Sequence, residues 1–245
     1  MIDVPFFVMG HVEGAVITKL TPTPLDTPLQ RRRIGEGLVD NLVALHAVNW
    51  HAIGLAGMGH PEGFNRRHLR RMRRLIADDM GKTPAIFEAV EHWLELHVPA
   101  ESGATIVHND YRIGNVVVGM NAPARILAIL DWELATLGDP LFDLGYFLAS
   151  YPAHGEPFTP TMEMGTAVLE EGYPQREELA ERYAVASGRS LENLNWYITM
   201  ALWKLAALYE YGRRRAMTDA GDSYYMDSSL VQSFLHASRR VAGID

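Results

Sequence analysis

The sequence contains no cysteine, which excludes disulfide staples, thiolate nucleophiles and cysteine metal sites. It also lacks an excess of positive charge. Lys and Arg number 22 against 30 Asp and Glu, a formal net charge of -8. Nucleic-acid binders usually carry the opposite balance, so no nucleic-acid partner is expected. No uncharged apolar run is long enough to span a bilayer; the longest stretch, "WYITMALWKLAALY", is broken by Lys204. The opening residues, "MIDVPFFVMGHVEG", lack the charged and then apolar order of a signal peptide. These absences predict a soluble cytoplasmic protein with no membrane partner. The glycine-rich "GLAGMGHPEGF" lacks GxGxxG spacing and is not read as a phosphate cradle. There is no internal repeat and no low-complexity tail, and nothing in the pattern addresses oligomeric state.

What is present is ordinary for a globular chain: 245 residues, 48% hydrophobic and 21% charged, enough for one large domain or two small ones. "PFFVM" at residues 5–9 reads as a strand, followed by a turn and a second short strand in "GHVEGAVI". Thr27-Pro28 is a helix start, a capping hydroxyl before a proline at the first helical position. That helix should run to about Val48 with Ile34, Leu38, Leu42 and Leu45 on one face. "NRRHLRRMRRLIADDM" reads as a basic, solvated or partner-facing helix opened by Asn65. Thr83-Pro84 repeats the start signal for a helix to about His97, with Ile86, Val90, Trp93 and Leu94 buried. Three short apolar runs follow as strands, "ATIVH", "NVVVG" and "RILAILD". From Pro140 onward the pattern is helical, in pieces near 140–151, 159–170, 175–187, 192–215 and 222–241.

Three polar clusters sit among the strands. The first is His108-x-Asp110-x4-Asn115, the second Asp131 at the end of "ILAILD", the third Asp139 and Asp143 in "GDPLFDL". Asp110 follows a buried run on a short loop and is placed to act as a general base toward a substrate hydroxyl. Asn115 offers a neutral oxygen and Asp131 a charged one, a pair that suits Mg²⁺, which keeps its other positions for phosphates and water. Arg112 lies two residues past the base, where it can offset charge on a transferring phosphoryl group. Asp139 and Asp143 read as structural, at a helix start where capping and the helix dipole favour carboxylates. His108 alone reads as a residue that braces the loop.

The order His-x-Asp-x4-Asn followed by a strand-terminal Asp resembles the catalytic and metal loops of the protein-kinase-like superfamily. "VHNDYRIGNVVV", "ILAILDWELATLGDPLFDLGYFLASY", "LHAVNW" and "PFFVMGHVEG" narrow it. They resemble the aminoglycoside phosphotransferase family, which includes choline-kinase-like enzymes, and within it a branch found alone in bacteria or fused to acyl-CoA dehydrogenases. The resemblance implies an α+β fold: a mostly helical protein-kinase-like C-terminal lobe with a few short strands, plus a remnant of the N-terminal lobe and hinge. Residues 1–14 would be the end of the N-terminal lobe and the hinge. Residues 15–245 would be the C-terminal lobe, with catalytic and metal loops at 108–115 and 131–143 and C-terminal substrate-site helices.

It further implies an ATP- and Mg²⁺-dependent phosphotransferase acting on a small-molecule hydroxyl. Asp110 would be the base, with Arg112 and His108 beside it, and Asn115 and Asp131 would hold the metal. Gly10 and Val12 would bond adenine through their backbones, with Met9 lining the pocket. Family members usually read HGD, whereas this chain has Asn109 at the glycine position, a residue that tolerates unusual backbone angles. The family's phosphate-covering loop and nucleotide lysine have no counterpart here, because Lys19 follows the hinge. An alternative follows: a kinase-like remnant that binds a ligand or partner without catalysis. A metal-dependent hydrolase using His108, Asp110, Asp131 and Glu133 is weaker, since no further ligands stand at helical spacing.

The helices after Asp143 would line the acceptor pocket. Their aromatics, among them Trp196, Trp203, Tyr209, Tyr211, Tyr224 and Tyr225, read as core rather than as ligand stackers. The branch resemblance implies a hydroxylated acyl acceptor rather than an antibiotic. Arg213, Arg214 and Arg215 read as a helix C-terminus or as contacts to an acidic substrate.

Overall fold

The computed structural model describes residues 10–218 and 221–244. In chain order the regular elements are α1 (Pro28–His46), α2 (Phe64–Ile76), α3 (Ala85–Leu96), β1 (Thr105–Val107), β2 (Val116–Val118), β3 (Ile126–Ile129), β4 (Thr136–Gly138), α4 (Leu141–Ala149), α5 (Pro160–Glu163), α6 (Arg176–Ser187), α7 (Leu194–Ala216) and α8 (Ser228–Ala242). The protein is mostly helical with a few short strands, as the sequence predicts. The strand expected at residues 5–9, with Met9, lies outside the described residues. Of the second expected strand, one bridge remains, Ala15 to Val118.

α1 begins as its sequence requires. Thr27 holds extended angles, its hydroxyl accepts from the Gln30 N–H at 3.4 Å, and Pro28 needs no donor partner. Ile34, Leu38, Leu42 and Leu45 are all buried, and the helix packs against α6. α7 is the hub of the fold. Its middle is mostly apolar on every face, as suits a helix covered on all sides, with Lys204 the buried charge. α2, α3, α4 and α8 pack around it, with Trp203 edge-on to Phe87 of α3 at 6.1 Å. The strands form two separate antiparallel pairs, β1 with β4 and β2 with β3.

Several sequence expectations need correction. Asn65 does not open α2. Gly63, at φ 64°, makes that turn, and Asn65 is fully buried inside the helix, donating to Asp139 and Tyr197. Thr83 is not a cap, since its hydroxyl donates to Glu91 at 2.7 Å. On α3, Ile86 is 45% exposed and Trp93 only partly buried, because the face turned to the core runs through Phe87, Val90, Glu91 and Leu94. β4 is unpredicted, being too short to show a period. The helix expected over 159–170 breaks at Gly165 into α5 and a 3₁₀ turn, Thr166–Leu169. The one expected over 222–241 is a 3₁₀ turn, Ser223–Met226, followed by α8, because the Asp227 carboxylate caps the second piece through the Ser229 N–H. Lys204, which looked like a mere interruption of an apolar run, is buried.

Candidate active site

Strand pairing brings the polar clusters together. β1 runs into the loop that carries His108 and Asp110, and its partner β4 follows directly on the loop 131–135, with Ile106 opposite Leu137. In the second pair Val116 faces Ile129. Asn115 therefore sits just before β2 and Leu130 just after β3, and the Leu130 N–H donates to the Asn115 carbonyl at 2.8 Å. Asp131, the next residue, is thus placed beside Asn115, although neither is strictly within a strand. Two non-glycine residues among those described have positive φ, Asn109 (67°) and Asp131 (66°). Both belong to this cluster, and such angles persist only where the surroundings enforce them. Asn109 adopts the conformation that a glycine would take there.

The enforcement is visible. Asp143, in the first turn of α4 and fully buried, accepts from the backbone N–H of His108 at 2.6 Å and of Asn109 at 2.7 Å. Lys204 of α7 donates to the Asn109 carbonyl at 2.8 Å. The Tyr111 hydroxyl donates to the Leu38 carbonyl of α1 at 2.7 Å. Three helices therefore hold the loop, α4 and α7 through its backbone and α1 through the Tyr111 side chain. His108 is fully buried, and both of its ring nitrogens serve the same end. Nδ1 accepts from the Asp110 N–H at 3.2 Å, so Nε2 is assigned as the donor to the Leu130 carbonyl at 2.7 Å. No lone pair on that ring is left for a metal.

The Asp110 carboxylate is held at both oxygens. The Tyr146 hydroxyl donates to Oδ1 at 2.5 Å, and Asn115 Nδ2 donates to Oδ2 at 2.8 Å. Arg112 Nε lies 3.7 Å from Oδ1, and a side chain at Gly114 would collide with the Arg112 guanidinium. Burial, and then the charge of Asp110, push the Tyr146 phenol well above its ordinary value, so it stays a donor. Lys204 Nζ stands 4.9 Å over the Tyr146 ring. Burial lowers Lys204 to about 8, against the opposing pull of Asp110 and Asp143. Tyr146, Lys204 and Asp143 were not picked out by sequence reasoning as partners of Asp110. For Tyr146 and Lys204 the sequence signal is a polar atom placed in an apolar helix, and for Asp143 the helix-start position alone.

The cluster can accommodate a hard cation. Asn115 uses its Nδ2 on Asp110, so its Oδ1 accepts from no described residue, and the exposed Asp131 carboxylate is likewise unengaged. One amide oxygen and one carboxylate match Mg²⁺ better than Zn²⁺. Among the described residues, no three His, Asp or Glu groups converge as a metal cage. Gly10 and Val12 lie exposed and without regular structure, and Met9 falls outside the described residues. Among the C-terminal helices Trp196 and Trp203 are core, Tyr211 and Tyr224 are exposed, and Arg213 and Arg214 pair with Glu210. No described helix is long and apolar enough to cross a membrane.

A family model described as the phosphotransferase enzyme family matches residues 2–191. The chain is 27% identical over 237 residues to acyl-CoA dehydrogenase family member 11 of Homo sapiens, covering 95% of this chain and 30% of that protein. It is 30% identical over 226 residues to acyl-CoA dehydrogenase family member 10 of Mus musculus, covering 91% of this chain and 21% of that one. The chain thus spans less than a third of either relative. A crystal structure described as an aminoglycoside phosphotransferase from Ralstonia eutropha superposes with a TM-score of 0.81 at 25% identity, covering 95% of this chain and 71% of that one. A choline kinase from Cryptosporidium parvum shares the fold at a TM-score of 0.55 and 11% identity, covering 95% of this chain and 69% of that one.

Proposed function

The chain belongs to the phosphotransferase enzyme family, and from that premise we propose that it transfers the γ-phosphoryl group of ATP to a hydroxyl of a small molecule. One observation carries the reading. A carboxylate is fixed at both oxygens on a loop braced by three helices, beside an amide oxygen and a second carboxylate that no described residue uses. Such rigidity is what phosphoryl transfer needs, because positioning and charge stabilisation supply most of its catalysis.

Asp110 accepts the proton of the acceptor hydroxyl as that oxygen bonds to phosphorus and the bond to the ADP oxygen breaks. Arg112, within 4 Å of the base, offsets negative charge on the transferring group. His108 positions the loop without meeting substrate. Asn115 and Asp131 would hold Mg²⁺, which neutralises phosphate charge when bound. Gly10 and Val12 would meet adenine through the backbone, with Met9 beside it.

The test is Asp110→Asn, which keeps the shape and removes the base. ADP release dependent on acceptor should fall about 10²- to 10⁴-fold, while Mg·ATP affinity by calorimetry stays the same. Unchanged turnover would remove the base assignment. A wild-type chain that fails to bind Mg·ATP would instead be a binding module without phosphotransfer.

A further inference from the structure

Lys204 lies in the middle of α7 and is 4% exposed, and a lysine is almost never buried so deeply without a carboxylate to pair with. Its ammonium donates instead to a backbone carbonyl, that of Asn109, at 2.8 Å. That oxygen and the Asp110 N–H are the two ends of one peptide unit. His108 Nδ1 accepts from the N–H at 3.2 Å, so the peptide plane just before the proposed base is gripped at both ends. Asn109 needs the grip, because it holds a φ of 67° without being glycine. The same ammonium stands 4.9 Å over the ring of Tyr146, whose hydroxyl donates to Asp110 Oδ1 at 2.5 Å. A cation on the face of that ring strengthens the phenol as a donor.

The groups around the ammonium come from several elements. Asp110 of the loop and Asp143 of α4 favour its charge, and Arg71 of α2 opposes it. His68 of α2 is pushed well below its ordinary value by burial, then by Lys204 and Arg71, and stays neutral. Tyr146 of α4, raised by burial and then by Asp110, stays protonated. α3, α8 and the turn Ser223–Met226 meet α7 through rings: Phe87 against Trp203, Phe234 and Tyr225 against Tyr209. Burial outweighs the two carboxylates and brings Lys204 to about 8. Loss of its proton turns a charge-assisted bond to Asn109 into a neutral one of roughly half the strength.

We propose that Lys204 is a positioning residue: its ammonium, acting through the Asn109 carbonyl and the Tyr146 ring, fixes the Asp110 carboxylate, and its deprotonation loosens that carboxylate and lowers turnover in mildly alkaline solution. This rests on the phosphotransferase reading and supplies a regulation of the same site by pH.

The test has two arms. The lysines of the chain are Lys19, Lys82 and Lys204, so lysine labelled with ¹³C at the ε carbon gives a simple NMR spectrum of the full chain. The Lys204 signal should titrate with a midpoint near pH 8, and the backbone amide of Asp110 should shift with the same midpoint, without nucleotide present. In Lys204→Met that amide shift should be gone. The second arm is ADP release from Mg·ATP with water as the acceptor. The wild-type rate should be about tenfold lower at pH 9 than on its plateau below pH 7. Lys204→Met should be at least tenfold slower on the plateau, show no alkaline fall, and bind Mg·ATP as wild type does. Lys204→Arg, which keeps its charge, should recover most of the rate and carry it to pH 9. The proposal is overturned by an Asp110 amide that ignores the Lys204 titration, by a Lys204→Met rate equal to wild type, by an alkaline fall that persists in Lys204→Met, or by Mg·ATP affinity that drops as far as the rate. Absence of ADP release at every pH, with the coupled NMR titration intact, sinks phosphotransfer alone.

Discussion

At the scale of single residues, the proposed base is legible and its supports are not. Asp110 and Asn115 stand out because their spacing is local, five positions apart in one loop. Tyr146 and Lys204 reach the same loop from 36 and 95 positions away, and no periodicity marks such a contact. Tyr146→Phe deletes one charge-assisted hydrogen bond and leaves the ring packed. It should lower stability by about 2 kcal/mol in denaturant unfolding and reduce turnover while sparing Mg·ATP affinity. Equal loss of both would mean the phenol serves only to hold the fold together. Lys204 makes a prediction in pH. Its value falls from 10.5 to about 8 on folding. Below pH 8 both folded and unfolded chains are protonated there, and the folded state bears the burial of the charge. Between about 8 and 10.5 the unfolded chain binds the proton and the folded one does not, so stability rises with pH. The gain is on the order of 3 kcal/mol; it should be absent from the pH-stability curve of Lys204→Met and so appear in the difference between wild type and that variant.

At the scale of elements, α4 is where the site is anchored, and the sequence shows only half of that. Asp139 and Asp143 are readable as helix-start carboxylates, and Asp139 does accept from the Leu141 N–H at 3.0 Å. What the local pattern hides is their reach. Asp139 also accepts from Ser102 N, Ser102 Oγ, Asn65 Nδ2 and Tyr197 OH, which ties the start of α4 to α2, α7 and the loop before β1. Asp143 extends the same tie to the catalytic loop. The dipole argument for these residues is therefore correct but minor. Asp139→Ala would leave several buried donors without an acceptor, and the chain should lose at least about 3 kcal/mol of unfolding free energy. A loss below 1 kcal/mol would mean that water replaces the carboxylate. β4 escaped prediction for a related reason. Three residues, Thr136–Gly138, carry no period, and their place is set by pairing with β1 across 28 intervening positions.

At the scale of the whole molecule, the helical plan follows from patterns that survive without tertiary context: a Thr-Pro start, an apolar stripe, a run apolar on every side. The site follows from two antiparallel pairs that set the loop after β1, the residue before β2 and the residues after β3 against one another. That arrangement couples ligand binding to the stability of the entire chain, since the loop is bonded to α1, α4 and α7 at once. A ligand that binds only the folded state adds RT ln(1 + [L]/Kd) to its stability. Mg·ATP at one hundred times its dissociation constant should therefore add about 2.7 kcal/mol, which for a chain of this length raises the melting temperature by roughly 5–10 °C. Mg²⁺ alone should add little, because Asn115 and Asp131 offer only two of the oxygens that it needs without phosphates. Asn115→Ala should abolish the nucleotide-dependent rise. A metal-only stabilisation as large as that of Mg·ATP, measured by scanning calorimetry, would favour hydrolysis at this centre over phosphoryl transfer.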